Sequence, residues 1–514
     1  MKNLERLLTK SIVIHPFLFA IFPIIFLLSY NIDTVSLDEI IWPSLIVILV
    51  TFLLWVLLSL IFKNRKKSGL VVSIGLILFF FYGHIYILFG QVEKEVSISH
   101  ELLLPTFLVL FIIGTYFIAK SKKKFDNATT IVNVIAISLI GISSVNIATY
   151  YLDSSNYFEA TNVEQELKSS TISNKNNYPD IYYIILDEYA NTNNLKKYLN
   201  YDNQEFINFL TEKGFFVAPK SFSNYARSTV SIPSTLNMQY IHNGISDEGF
   251  EHLNLRAAFY LTENNKIMQH LKSKGYTTFS FNSGHGTTMN IKISDFNLCN
   301  DVNNLDSEFV PLLLRTTMLN PIHIQFFAGD YRDRILCIFN ELSKMQERNE
   351  APKFVFAHIM LPHQPYVFGA NGEPVMPEAI NKLNLFWDEE RYLNQLKFAN
   401  EKIKVVLDQL VKAENPPVVI ILSDHGMRYG KNNWENPSKE FLDLRYANFK
   451  AYYFPNMGRN MLFEETTNVN SFRVLFNLYF NDDFDLLEDR ILVSPDGVEK
   501  FSDWTDVTHI LFEN

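Results

Sequence analysis

The sequence predicts two joined architectures: an α-helical membrane bundle of five spans, then an extracytoplasmic α/β domain with a mostly parallel, doubly wound sheet. Three observations carry this. Apolar residues dominate the first 150 positions of a 514-residue chain. From Pro179 onward, apolar strand-like runs alternate with amphipathic helical patterns, the signature of a parallel sheet wrapped by helices. Run 180–188 ends in two carboxylates and run 416–426 in an acid and an imidazole side by side before Gly426, and in open α/β sheets the carboxyl ends of strands are where ligands bind.

The membrane half comes first. Runs 11–30, 41–62, 69–90, 102–119 and 129–150 are each apolar over a length near the roughly 20 residues a bilayer crossing takes. Lys2, Arg6 and Lys10 precede the first run; Lys63, Arg65, Lys66 and Lys67 follow the second; Lys120, Lys122, Lys123 and Lys124 follow the fourth. The intervening connections carry Asp33, Asp38 and Glu39, then Glu93, Glu95 and Glu101, with Lys94 the lone basic residue. By the positive-inside rule the amino terminus is cytoplasmic, and five crossings put everything after Tyr150 outside, periplasmic or extracellular to a bacterial-type inner or plasma membrane. The first run lacks a small-residue cleavage pattern and is not a cleavable signal. His15 and His84 lie within spans and read as neutral histidines facing other helices. No span carries the paired acids or broken helices of an ion-coupled transporter.

Composition sets further bounds. At 48% hydrophobic, with 44 Phe and 25 Tyr, the chain is too apolar for an ordinary soluble protein. A net charge of −10 excludes a general role on nucleic acid. Cys299 and Cys337 are the only cysteines, which rules out a disulfide framework and leaves either one bridge or two free thiols. The domains expected are thus 1–151 in the membrane, a polar linker over 152–178 with a short helix near 163–168, and a catalytic domain over 179–514. Strands are expected at 181–186, 277–282, 353–360 and 418–423, and helices at 203–213, 266–274, 331–348 and 393–413.

Four stretches at strand ends or helix starts carry chemistry. Asp187 closes the first strand. Arg227, Ser228, Thr229 and Ser231 belong to a Ser/Thr-rich stretch that opens a helix. His363 lies between prolines, and Ser423-Asp424-His425-Gly426 closes the last strand. Asp187, Asp424 and His425 offer an oxygen-rich, one-imidazole set for a divalent cation with an open position. A hydroxyl there ionises more readily, and the free N–H groups of a helix start hold an anionic phosphate or sulfate oxygen. His363 then holds the anion or protonates the leaving oxygen. Glu188 is either a second carboxylate on the metal or a solvated turn residue, the turn being the reading taken, and His358 reads as a core histidine. His285 either faces the cleft or sits in a plain loop. Arg227 and Arg428 either clamp an anion or bridge surface charges.

These motifs carry a resemblance. Strand-Asp, Ser231-Ile232-Pro233-Ser234, Leu361-Pro362-His363-Gln364-Pro365-Tyr366 and Ser423-Asp424-His425-Gly426, in that order, resemble the alkaline phosphatase/sulfatase superfamily. Five spans ahead of an outer domain are similar to its membrane branch, the lipoteichoic acid synthases and phosphoethanolamine transferases, and within it to sulfatase-like membrane proteins. The resemblance implies an alkaline phosphatase-like fold and one divalent metal, zinc or manganese, on Asp187, Asp424 and His425, with Ser228 at the metal as nucleophile. The membrane branch usually has Thr at that position. Soluble sulfatases place the nucleophile at the position of Ser231, followed by an Arg where this chain has Thr235; Thr229 is the remaining alternative. His363 matches a substrate-side or second-metal histidine, and Arg227 and His285 are further substrate contacts. No histidine lies between His425 and His509, where the transferases carry a further one, so the resemblance implies one tightly bound metal and leaves a second open. The activity implied is transfer of a substituted phosphate, of phosphoethanolamine or phosphoglycerol type, from a phospholipid donor to an envelope glycan or lipid acceptor. An ester hydrolase with the same site, or a catalytically silent scaffold, are the alternatives.

Overall fold

A computed structural model describes residues 12–32, 35, 37–92, 100–160, 178–241, 255–300, 309–350, 352–375, 387–430, 434–455, 465–494 and 504–512. The expected short helix near 163–168 lies outside them. The chain divides into two compact units.

The first unit holds the apolar helices. Four are long and apolar enough to cross a membrane: Leu37–Phe62, Arg65–Tyr86, His100–Lys120 and Asp126–Leu152. The expected first span is a shorter helix, His15–Tyr30, of 16 residues; at 1.5 Å per residue it covers about 24 Å, less than the roughly 30 Å of a hydrocarbon core. Pro16 opens it, in the turn where a missing N–H costs nothing. Its Ile24, Leu27 and Leu28 pack with Val35, Phe80, Phe309 and Leu313, so the Phe309–Thr316 helix joins this unit. Large apolar side chains such as Trp42, Leu60 and Phe117 face outward, which suits lipid and not water. His15 is buried, its Nδ1 2.6 Å from the Ser73 hydroxyl, whereas His84 is exposed instead of facing a neighbouring helix.

The second unit is built on a seven-stranded sheet. Its strands are β1 (Ile181–Leu186), β2 (Phe216–Val217), β4 (Thr277–Phe281), β5 (Phe296–Leu298), β6 (Lys353–Ile359), β7 (Val418–Leu422) and β8 (Lys450–Tyr453), in the order β2-β8-β7-β1-β6-β4-β5. Short β3 (Lys220–Phe222) pairs with β9 (Glu465–Thr467), and β10 (Leu492–Val493) with β11 (Thr505–Asp506). Pairings among β7, β1, β6, β4 and β5 are parallel; β8 runs antiparallel to both its neighbours. The expected mostly parallel sheet is present, and the four long strands foreseen lie within one residue of their expected ends.

Strand β1 sits at the centre because all six of its residues are apolar or aromatic and all are buried. Ile181, Tyr183 and Ile185 pack on one face with Ile232 and Leu236 of the Ser228–Asn237 helix, Ile267, Met268 and Leu271 of the Lys266–Ser273 helix, and Phe472 and Phe476 of the Ser471–Phe480 helix. The alternate residues Tyr182, Ile184 and Leu186 point the other way and are equally buried, as a doubly covered sheet requires. The cysteines settle as one disulfide, Cys299–Cys337, joining the turn after β5 to the Asn320–Lys344 helix.

Candidate active site

Because β7, β1, β6 and β4 are parallel neighbours, the loops leaving their carboxyl ends converge. β1 delivers Asp187 and Glu188, β7 delivers Asp424 and His425, the loop after β6 delivers His363, and the loop after β4 delivers His285 and Thr288. Each loop is held by its own residues. Ser423 Oγ accepts the Tyr189 N–H at 2.8 Å and donates to the His425 carbonyl at 2.7 Å. Tyr392 donates to the Glu188 carbonyl at 2.9 Å, pinning a residue in the left-handed region (φ 63°). Gly426 follows the Asp-His pair for a steric reason: a Cβ there would lie 2.4 Å from the Leu444 carbonyl oxygen.

Asp187, Ser228, Asp424 and His425, expected together from the sequence, are together. Ser228 Oγ lies 3.4 Å from Asp187 Oδ2 and 3.5 Å from His425 Nε2. His425 Nε2 is 3.6 Å from Asp187 Oδ1 and from Asp424 Oδ2. Ser228 begins its helix after Arg227, which makes no side-chain cap; the Val230 and Ser231 N–H groups bond the Arg227 carbonyl, which leaves those of Ser228 and Thr229 to meet an anion. The other hydroxyls are placed differently. Ser231 Oγ donates to the Asp424 carbonyl at 2.6 Å; Thr229 Oγ1 is buried without a hydrogen-bond partner. The Arg227 guanidinium lies over the Trp434 ring, 5.9 Å from its centroid.

Sequence reasoning assigned His358 to the core. It is fully buried, yet its Nε2 lies 3.2 Å from Asp187 Oδ2. Asp187, His358 and Asp424 each offer one ligand atom within 4.8 Å of the others. Glu188, read as a turn residue, is also buried: its Oε1 accepts the Arg428 N–H at 2.6 Å, and its Oε2 is 3.7 Å from His363 Nε2. His285 comes within 6.4 Å of His363, ring centre to ring centre.

The electrostatics call for a cation. Burial first, then repulsion from Asp424, drives Asp187 far above the ordinary carboxylate range. Burial works against Asp424 too, but the neighbouring His425 pulls the other way and the carboxyl lies below its ordinary range. His358 is pushed down to about 4 by burial, and His285 to about 4 by burial and then His358. Burial, with Arg428 next, holds His363 well below the usual histidine range. Burial thus disfavours a positive charge on each of these three rings. His425 Nδ1 donates to the Gly426 carbonyl at 2.7 Å, which turns Nε2 toward the carboxylates of Asp187 and Asp424, 3.6 Å from each. Asp187 Oδ1 and Asp424 Oδ2 are buried and make no hydrogen bond. Lone pairs facing lone pairs out of water are costly without a positive charge between them. The residues fit a divalent metal, and the mixed carboxylate–imidazole set is one that zinc and manganese accept.

A hydroxyl at an uncapped helix start, facing buried acids and imidazoles at the carboxyl edge of a parallel sheet, defines an α/β enzyme acting on phosphate or sulfate esters. The chain belongs to the Sulfatase family, whose model matches residues 179–472. It is a phosphotransferase or ester hydrolase of the alkaline phosphatase/sulfatase superfamily, with several apolar membrane helices ahead of the catalytic fold. Among solved structures, the chain is similar to the zinc complex of the C-terminal periplasmic domain of EcEptC from Escherichia coli, at 12% identity over 67% of this chain and 96% of that one, TM-score 0.45. It is similar to the integral membrane protein lipooligosaccharide phosphoethanolamine transferase A (EptA) from Neisseria meningitidis, at 13% identity over 90% and 95%, TM-score 0.39. For the C-terminal periplasmic domain of phosphoethanolamine transferase EptC from Campylobacter jejuni the values are 15%, 60% and 92%, TM-score 0.38. No curated protein matches the sequence.

Proposed function

We propose that the chain transfers a substituted phosphate, of phosphoethanolamine or phosphoglycerol type, from a phospholipid to a glycan or lipid outside the membrane. The observation that carries this is Ser228 Oγ, 3.4 Å from Asp187 and 3.5 Å from His425 at an uncapped helix start. A metal would be held by Asp187, Asp424 and His425. When bound, a divalent cation supplies Lewis acidity that favours the Ser228 alkoxide and offsets charge on the phosphate oxygens.

Ser228 Oγ forms a bond to phosphorus as the bond to the diacylglycerol oxygen breaks. Neutral His363 takes the serine proton and returns it to that leaving oxygen, so the proton count closes. The Ser228 and Thr229 N–H groups at the start of the Ser228–Asn237 helix receive a phosphate oxygen. An acceptor hydroxyl oxygen then attacks phosphorus as the Ser228 Oγ–P bond breaks, and its proton passes by way of His363 to Oγ, which restores Ser228. Two features favour transfer over sulfate hydrolysis. Long apolar helices hold the chain in the bilayer where a lipid donor lies. At position 235, where soluble relatives carry Arg, a Thr hydroxyl is spent on the Ser231 carbonyl at 2.9 Å.

The test is mass spectrometry of the Ser228 peptide after the full chain, in detergent with zinc or manganese, meets mixed phospholipids without acceptor. The expected result is an adduct with the mass of the phosphorylated head group on Ser228, absent from Ser228→Ala, with headgroup release falling by about 10³-fold or more. An unmodified serine together with rapid release of inorganic phosphate or sulfate from nitrophenyl esters would instead establish the hydrolase.

A further inference from the structure

Resting on that reading of the metal centre, we propose that Thr288 is a positioning residue that holds His358 as an additional ligand of the cation beside Asp187, Asp424 and His425. Thr288 and His358 are both completely buried. They come from neighbouring strands: Thr288 lies in the loop leaving β4, and His358 is the sixth residue of β6, opposite Ile185 in β1. That register puts His358 on the same face of the sheet as Asp187, two residues beyond Ile185.

The hydrogen bonds around the imidazole decide what it can do. His358 Nδ1 is 2.7 Å from Thr288 Oγ1, and Nε2 is 3.2 Å from Asp187 Oδ2. Thr288 Oγ1 is also 3.1 Å from the His285 carbonyl and 2.7 Å from Ser283 Oγ. The hydroxyl therefore has somewhere to send its own proton, leaving a lone pair to accept Nδ1–H. In that tautomer Nε2 carries a lone pair 3.2 Å from Asp187 Oδ2, with a carboxylate oxygen of Asp424 within 4.8 Å of both residues' ligand atoms. A ligating histidine fixed through its other ring nitrogen by a buried acceptor is the arrangement that raises ligand basicity and sets ring orientation. A valine at 288 would fill the space and remove the acceptor.

The test measures metal affinity and coordination, not turnover. The full chain in detergent is stripped with chelator, then titrated with Zn²⁺ against a chromophoric competitor and, separately, with Co²⁺ while its visible d–d bands are recorded. Thr288→Val is expected to weaken Zn²⁺ by about 10- to 100-fold and to shift the Co²⁺ bands, while Thr288→Ser stays within about threefold because it keeps the acceptor. Thr288→Val added to His358→Ala is expected to cost nothing further. Thr288→Ala repeats the test should valine disturb folding. Unchanged Zn²⁺ affinity and unchanged Co²⁺ bands in Thr288→Val would overturn the proposal, even with a lowered melting temperature, as would a full additional loss in the His358→Ala background. Wild-type protein that takes up neither ion would overturn the metal centre itself.

Discussion

Two serines three positions apart, Ser228 and Ser231, sit on one helix, and only their partners tell them apart. Ser231 spends its proton on the Asp424 carbonyl at 2.6 Å, while Ser228 faces acid and imidazole side chains at longer, adjustable distances. Ser231→Ala should therefore cost about 1 kcal/mol of stability and leave the Ser228 adduct and headgroup release within about tenfold of wild type. Loss of the adduct in Ser231→Ala, with the melting temperature held, would move the nucleophile to Ser231. The carboxylates, Ser228 and His425 were legible because each stands at the end of an apolar run or the start of a helix. His358 was not, since inside a seven-residue apolar strand an imidazole looks like any buried ring. Its place beside Asp187 follows from lying opposite Ile185, and that register is a property of the assembled sheet. Glu188 was hidden for a related reason: a polar residue after a strand reads as a solvated turn until Tyr392 and Arg428 are seen closing over it.

At the scale of elements, the long strands were legible from their β-branched runs, and the short ones were not. β8 has four residues and opens with a lysine, which argues for an exposed edge. Lys450 is instead completely buried between β7 and β2. Burial lowers it from 10.5 to about 7, with Asp489 opposing. The sign follows from proton counting. Between about 7 and 10.5 the unfolded chain binds a proton that the folded chain has lost, so this group makes the fold more stable as pH rises through that window. Below about 7 both states are protonated and the penalty for burying the charge is fully present. Lys450→Met removes the group. The melting temperature of wild type should gain on that of Lys450→Met between about pH 7 and pH 9.5. Parallel curves would mean that the lysine keeps its proton in the fold.

For the whole molecule, the side of the membrane on which the catalytic unit lies turns on counting crossings, and the 16-residue His15–Tyr30 helix makes the count ambiguous. The ambiguity falls away when counting starts from the last helix. Lys120, Lys122, Lys123 and Lys124 precede the Asp126–Ala160 helix; if that basic cluster is cytoplasmic, one crossing carries everything after residue 160 outside, however the first helix sits. The disulfide is an independent witness, because such bonds persist in oxidising compartments and are rare in the cytosol. It joins residues 38 positions apart, a loop whose closure stabilises the fold by about 4 kcal/mol in the chain-entropy account. It also ties Cys299, eleven residues past Thr288, to the Asn320–Lys344 helix. The chain taken from cells under denaturing, non-reducing conditions should then resist maleimide until reductant is added. The Cys299→Ser, Cys337→Ser protein should melt lower, by a difference that reductant abolishes by bringing wild type down to meet it. Two thiols that react at once in protein from intact cells would place the catalytic unit on the reducing side and remove the lipid-donor reaction proposed for the outer face.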